Sequence, residues 1–399
     1  MEKLAIFGGT PVRKEKIFYG HQCIDQSDVD AAGNVLLSDY ITCGPAVIQA
    51  EKDLVDYTGA SYATLVSNGT AALHLACIAA GICSGDEVIT TPLTFAASAN
   101  CILYCGGTPI FADVNCKTYN IDPKDIENKI TKKTKAVIAV DYTGQAAQLD
   151  EIRNICDKYN LVFIEDAAHS IGTVYKNKKV GSIADLTCFS FHPVKNITCG
   201  EGGAILTNDD KYDRILKDAR THGIVHREED FIFPELNEGL WYYEEQFLGY
   251  NYRLTDFQAA ILSNQIKKLD GFKRRRKQIC EMYRKELQNV DGIILQEEIP
   301  ESDSCNHLFI IRVDRSVLNC SRTDFFYAMS KENIQCQIHY IPVYWFPYYA
   351  QLGYKRGMCP NAENIYKDII SIPLYPLMSD NDVYDVIRAI KKIANYYKA

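Results

Sequence analysis

Ser190-Phe191-His192-Pro193-Val194-Lys195-Asn196-Ile197-Thr198-Cys199-Gly200-Glu201-Gly202-Gly203-Ala204-Ile205-Leu206 decides how the rest of this chain is read. An apolar run (Cys188 to Phe191) meets a proline, a lysine follows, then a glycine-rich bend, and a second apolar run begins. A lysine is ordinarily a solvated surface charge, because withdrawing its ammonium from water costs several kcal/mol unless it is paired or neutralised. Among Phe, Pro, Ile and Gly, Lys195 has the surroundings that depress an amine pKa and make the amine a nucleophile. The expectation is a Schiff-base lysine with a carbonyl partner. The alternative is a buried lysine satisfied by an ion pair.

Working outward, short apolar runs alternate with helical ones. Residues 61–66, 87–91, 135–141, 161–165, 187–191 and 204–207 read as strands, and 95–104 and 148–159 as helices. That alternation argues for βαβ units and a mainly parallel sheet. Beyond residue 255 the pattern changes to a long helix (256–288) carrying Leu262, Ile266, Leu269 and Phe272 at helical spacing. Strands at 307–313 and 334–341 and helices at 323–331 and 380–397 follow. Residues 226–246 are acidic, aromatic and unpatterned, and read as an excursion or an oligomer-contact loop.

Bulk properties narrow the alternatives. A chain of 399 residues can build a large domain and a smaller one. A net charge of −8 argues against nonspecific nucleic-acid or anionic-membrane binding, so an anionic ligand must find local donors. No leader-like segment opens the chain and no apolar stretch approaches about 18 residues, which reads as a cytoplasmic protein. The fifteen cysteines form no C-x-x-C pair and no zinc-type array with histidine, so they read as reduced, mostly structural thiols and no metal is expected.

Four segments carry chemistry. Ser67-Asn68-Gly69-Thr70, between a strand and a helix, is either a phosphate cradle or an ordinary helix cap. Phe163-Ile164-Glu165-Asp166-Ala167-Ala168-His169-Ser170 ends a strand in a carboxylate, at the sheet edge where α/β proteins bind ligands. Phe95 stands just after a strand end, where core packing is the plain reading. The Lys195 segment is the fourth. Together a phosphate cradle, a carboxylate for a pyridinium nitrogen, a flat aromatic and a Schiff-base amine are what a pyridoxal phosphate site needs.

Glu165-Asp166-Ala167-Ala168-His169 and Ser190-Phe191-His192-Pro193-Val194-Lys195-Asn196 resemble the sugar aminotransferases of the DegT/DnrJ/EryC1/StrS family, over nearly the whole chain. The resemblance implies a fold-type-I, aspartate aminotransferase-like α/β architecture. A three-layer α/β/α large domain (1–260) would precede a smaller α+β domain (261–399) that contributes to substrate binding. It implies pyridoxal 5'-phosphate as cofactor, with Lys195 catalytic, Asp166 on the ring nitrogen, His169 beside the ring and Phe95 stacked on it. Gly69, Thr70 and Ser190 would hold the phosphate, with Asn251 reaching in from the second subunit of a homodimer. Substrate contacts would fall to Tyr19, Tyr40, Ile41, Thr42, Gln337, Ile338, His339 and Tyr340; His339 has the plain alternative of a strand histidine satisfied by its neighbours.

Within the family, Asp141-Tyr142-Thr143-Gly144-Gln145, Gly249-Tyr250-Asn251-Tyr252-Arg253 and Gln337-Ile338-His339-Tyr340-Ile341-Pro342 look like the branch serving pseudaminic acid biosynthesis. That branch moves the amino group of L-glutamate, leaving 2-oxoglutarate, to C4 of a UDP-linked 4-keto-6-deoxy-N-acetylhexosamine. Another UDP-, dTDP- or GDP-linked keto sugar remains the alternative. Cys199 stands where the family usually has Thr, and Cys43 where it would offer Gln in a substrate loop. Dehydratases of this fold carry histidine at the lysine position, so Lys195 speaks against that chemistry. The basic run Lys273 to Lys277 reads as a solvated helix face rather than a diphosphate site.

Overall fold

Seven strands form the central sheet of the computed structural model, which describes residues 2–398. They are β1 (Tyr62–Val66), β2 (Glu87–Thr90), β3 (Thr108–Phe111), β4 (Thr134–Val140), β5 (Val162–Asp166), β6 (Leu186–Ser190) and β7 (Gly203–Thr207). Their spatial order is β1-β7-β6-β5-β4-β2-β3, and only β7 runs against the rest. Successive side chains face opposite ways along a strand. Accordingly Phe163 and Phe189 enter the core beneath the helices Pro45–Thr58 and Asp256–Leu287, while Ile164 and Cys188 enter the core beneath Gly69–Ala79. With both faces covered, β6 and β7 are buried at every residue and read as continuous apolar runs.

A second sheet joins β8 (Ile293–Leu295), β9 (Phe309–Val313) and β10 (Ile369–Ile372), all antiparallel, with β9 in the centre. It packs under the helices Arg322–Lys331 and Asp380–Tyr397, and Leu4 and Ile17 from the start of the chain share that core. The 260/261 division expected from the sequence falls inside the helix Asp256–Leu287. The first half of that helix puts Leu262, Ile266 and Leu269 into the main-sheet core; the second puts Ile279, Tyr283 and Leu287 into the other.

Four of the five residues of the basic run on this helix are tied to protein groups. Lys273 donates to Gly172 O (2.9 Å) and pairs with Asp303, which also takes Lys277. Arg275 pairs with Asp380, and Arg276 is buried against the carbonyls of Asn306, His307 and Leu374.

The strand expected over 334–341 does not form. Only single pairings occur there, Ile17 with Ile334 and Gln337 with Ser371. Consecutive His339 and Tyr340 both turn toward one cavity, which the alternation of a strand forbids. Residues 226–246 form a loop with a two-stranded ribbon at its base (Ile224–Val225 against Glu244–Glu245) and leave Ile232, Leu240 and Trp241 exposed. All fifteen cysteines are free.

Candidate active site

The carboxyl ends of β4, β5 and β6 and the first turn of the helix Gly69–Ala79 open on a cavity of about 720 Å³. Strand pairing brings the chemistry together: Asp166, last in β5, lies beside Val140 of β4 and Cys188 of β6. Lys195 sits on the connection from β6 to β7, pinned where Phe191 N donates to Gly202 O (2.8 Å) and Thr198 Oγ1 to Phe191 O (2.8 Å). Cys199 fills the apolar core under this connection, and a Cβ on Gly202 would lie 2.5 Å from its sulfur.

Lys195 is half-buried and lines the cavity. Burial pushes its amine down to about 8, with Asp166 pulling the other way. Burial raises the Asp166 carboxyl, opposed by Ser98 Oγ donating to Oδ2 (2.6 Å), Ala168 N donating to Oδ1 (3.2 Å) and the charge of Lys195. His169 is buried, with Nε2 against the Tyr340 hydroxyl (3.0 Å) and Nδ1 without a partner. Burial first, then Lys195, drives its pKa well below the ordinary imidazole value, so the ring is neutral at physiological pH.

Asn68 caps the Gly69–Ala79 helix through Oδ1, which accepts from Ala71 N (2.8 Å). The cap and the cradle therefore coexist. The amides of Gly69 and Thr70 lie in the first turn, where no intrahelical acceptor exists. A Cβ on Gly69 would lie 2.8 Å from Ser190 Cβ, so glycine is what lets this turn reach the Ser190 wall. Such a turn, with a hydroxyl beside it, suits a phosphate.

Lys195, Asp166, His169, Gly69, Thr70, Ser190 and Phe95 all line the one cavity, as do Tyr19, His339 and Tyr340. Phe95 stands at the mouth, 62% exposed, its ring 6.3 Å from that of Tyr340. His339 lines the cavity and is also satisfied, its Nδ1 on Ser371 Oγ (2.8 Å), and burial lowers it to about 4.

The remaining expected residues lie elsewhere. Gln337 pairs its backbone with Ser371 and accepts from Ile338 N, and neither reaches the cavity. Tyr40 and Ile41 are exposed, Thr42 pairs with Thr255, and Asn251 is exposed and pairs with Thr221. Cys43 adopts φ +55° in this loop, just before Gly44 and the Asp256 carboxylate that caps the next helix. Ser98 bonds the key carboxylate, and its only sequence signal is its place in the first turn of the helix after Phe95.

An amine, a carboxylate, a helix N-terminus with a hydroxyl, and a neutral histidine with a free Nδ1 thus occupy separate walls of one cavity. A flat heteroaromatic ring bearing a phosphate fits that set. The sequence pattern of the DegT/DnrJ/EryC1/StrS aminotransferase family matches residues 22–391. The chain belongs to this family. It is 39% identical to the spore coat polysaccharide biosynthesis protein SpsC of Bacillus subtilis, over 94% of this chain and 96% of that one. It is 38% identical to a UDP-4-amino-4,6-dideoxy-N-acetyl-beta-L-altrosamine transaminase of Campylobacter jejuni, over 94% and 99%. Among solved structures it resembles Helicobacter pylori PseC, an aminotransferase involved in pseudaminic acid biosynthesis (TM-score 0.88, 29% identity, 96% of this chain and 100% of that one). The fold is the fold-type-I arrangement expected from the sequence, the enzyme is a sugar transaminase and its cofactor is pyridoxal phosphate.

Proposed function

We propose that this enzyme transfers the amino group of L-glutamate to C4 of a UDP-linked 4-keto-6-deoxy-N-acetylhexosamine. The product would be UDP-4-amino-4,6-dideoxy-N-acetyl-beta-L-altrosamine, on the route to pseudaminic acid. The observation that carries the reading is a half-buried lysine and a buried aspartate lining one cavity, in a chain similar over 94% of its length to the Campylobacter transaminase. Bound pyridoxal phosphate supplies an electron-withdrawing ring that can accept and return an amino group.

The chain's own groups do the rest. Asp166, oriented by Ser98 and Ala168, would hold the proton on the ring nitrogen. Ser190 with the amides of Gly69 and Thr70 would hold the phosphate, and His169 and Phe95 would flank the ring. Lys195 Nζ would anchor the cofactor and, once free, take the proton from the donor's α-carbon; an amine lowered to about 8 has the basicity for that near neutral pH. Glutamate and keto sugar would occupy the cavity in turn, giving ping-pong kinetics.

Asn251, Tyr40, Ile41 and Thr42 would complete the site of the neighbouring subunit in a homodimer. Their exposure in one chain supports that arrangement. The unit boundary is placed within the Asp256–Leu287 helix rather than at its start, with residues 4–17 joined to the C-terminal unit. Among the described residues no helix is long and apolar enough to cross a membrane, which agrees with a cytoplasmic enzyme handling nucleotide sugars.

Incubation with glutamate and a panel of UDP-, dTDP- and GDP-linked keto sugars tests the assignment. The UDP-linked 4-keto-6-deoxy-N-acetylhexosamine should be aminated with the highest kcat/KM, and Lys195→Ala should abolish turnover and the visible absorbance together. Preference for a dTDP or GDP sugar would overturn the substrate; near-normal turnover by Lys195→Ala would overturn the chemistry.

A further inference from the structure

His307 lies behind the site, outside the lining of the cavity and without a role in the reading above. It is buried, and its ring centroid stands 4.4 Å from that of His169 at an interplanar angle of 39°. Its Nδ1 lies 2.9 Å from the side-chain oxygen of Asn196, the residue that follows Lys195. Asn196 is itself buried, and its Nδ2 donates to Cys305 O (3.1 Å). That bond orients the amide with its oxygen toward His307, so His307 carries its proton on Nδ1 and donates to Asn196.

The backbone around His307 is fixed with unusual thoroughness. His307 N and Leu308 N both donate to Thr143 O (2.9 and 3.1 Å), and Arg276 donates to His307 O (3.2 Å). Cys305 N donates to Thr173 Oγ1 (2.9 Å), and Ser304 Oγ to Gly144 O (2.8 Å). Thr143 adopts φ +67°, a costly conformation for a β-branched residue, and the carbonyl so turned is the one that holds His307. Lys195, His169, His339 and Arg276 are the charged or titratable groups facing the ring, and burial keeps the ring neutral among them. A neutral ring can pack on His169 without adding a charge beside Lys195.

We infer that His307 and Asn196 are a pair of positioning residues that set Lys195 and His169 in register with one another. One end of the pair holds the backbone beside the lysine; the other is a flat platform under the histidine that flanks the cofactor. A group held only through its neighbour's hydrogen bond or packing is oriented by it, and small misplacements at a reacting centre are expensive. The inference rests on the reading of Lys195 and His169 as cofactor-site residues.

Three variants separate the two ties. His307→Phe keeps a flat ring against His169 but cannot donate to Asn196; Asn196→Ala removes the same bond from the other side; His307→Gln keeps a donor but removes the ring. Each is loaded with pyridoxal phosphate, and two quantities are read: the pH midpoint of the visible absorbance of the bound cofactor and its dissociation constant. The expected result is a shift of that midpoint by about one unit, a tenfold change in proton affinity, shared by His307→Phe and Asn196→Ala. His307→Gln should keep the wild-type midpoint while its dissociation constant rises about tenfold. A purely structural role would lower the melting temperature and leave the midpoint of all three at the wild-type value, and that outcome overturns the inference. So does a midpoint shift in only one of His307→Phe and Asn196→Ala. If one of these two fails to fold, the other carries the test. Wild-type protein that forms no visible band would overturn the cofactor-site reading itself, which keeps the two failures distinct.

Discussion

Replacing Lys195 by methionine should stabilise the cofactor-free enzyme, by an amount that depends on pH. The amine falls from an ordinary 10.5 to about 8 in the folded protein, a net value that already includes the attraction of Asp166. At about 1.4 kcal/mol per unit, folding around the protonated lysine costs about 3 kcal/mol, or about 2 once contact with cavity water is allowed for. A base whose folded pKa is depressed binds fewer protons folded than unfolded between the two values. Stability of the wild type therefore rises with pH from about 8 to 10.5. Below 8 the penalty is complete, and above 10.5 it has vanished. Methionine keeps most of the packing and has no charge to bury. With an unfolding entropy of roughly 2 cal/mol/K per residue, 2–3 kcal/mol in a chain of this length corresponds to a rise in Tm of about 2–4 °C. Differential scanning calorimetry of cofactor-free wild type and Lys195→Met between pH 6.5 and 10.5 measures this directly. The gain should be full at pH 7 and shrink toward zero at the alkaline end. A variant no more stable at pH 7, or one whose gain is independent of pH, would refute the claim that Lys195 is held as a strained, desolvated amine.

Three further outcomes follow from the geometry. Ser98→Ala removes one of two donors to the Asp166 carboxylate; a hydrogen bond to a charged group is worth about 1.5–3 kcal/mol, so cofactor affinity and kcat/KM should fall about ten- to a hundredfold. Absorbance titration with pyridoxal phosphate reads the first, and an unchanged affinity would show that Ser98 does not tune Asp166. Glu165 is buried beside Asp141 and accepts from Thr187, and burial raises its carboxyl well above the ordinary value. A carboxyl raised in the folded state loses stability as pH climbs from its unfolded value toward its folded one. The stability of Glu165→Gln relative to wild type should therefore grow as pH rises above the ordinary carboxylate value in urea unfolding, and a constant difference would remove the argument. Lastly, Lys195→Ala and Asn251→Ala, each inactive alone, should recover about a quarter of wild-type activity when refolded together, because random pairing gives one native site in half of the dimers. No recovery would exclude a site shared between subunits.

Most of the sheet could be read from sequence because its strands are buried on both faces and appear as uninterrupted apolar runs. β3 could not: Thr108-Pro109 at its start looks like a breaker, and only its position at the sheet edge makes the proline tolerable. The segment 334–341 misled for the opposite reason. Its β-branched residues suggest a strand, yet His339 and Tyr340 are both drawn to the cavity, which no strand permits. At the site, residues whose role follows from backbone geometry, such as Gly69 at a helix start and Asp166 at a strand end, announce themselves in a motif. Ser98 and His307 act through contacts between segments distant in sequence, Ser98 on Asp166 and His307 on Asn196, and no local pattern marks such contacts. Likewise Leu4 and Ile17 join a core assembled some three hundred residues later, beyond the reach of any local periodicity.

The single reversed strand has a further consequence for how this protein can change. The connections from β2 to β3, from β3 to β4 and from β4 to β5 each run through a helix packed against the sheet, so altering one of them disturbs a layer of the fold. The passage from β6 to β7 returns antiparallel and needs no helix; it is a loop closed by two adjacent strands and by the bond from Phe191 to Gly202. The reactive amine is therefore mounted on a helix-free stretch beside the cavity that can be rewritten residue by residue while both flanking strands keep their partners. In such a frame, a new chemistry costs a loop, not a domain.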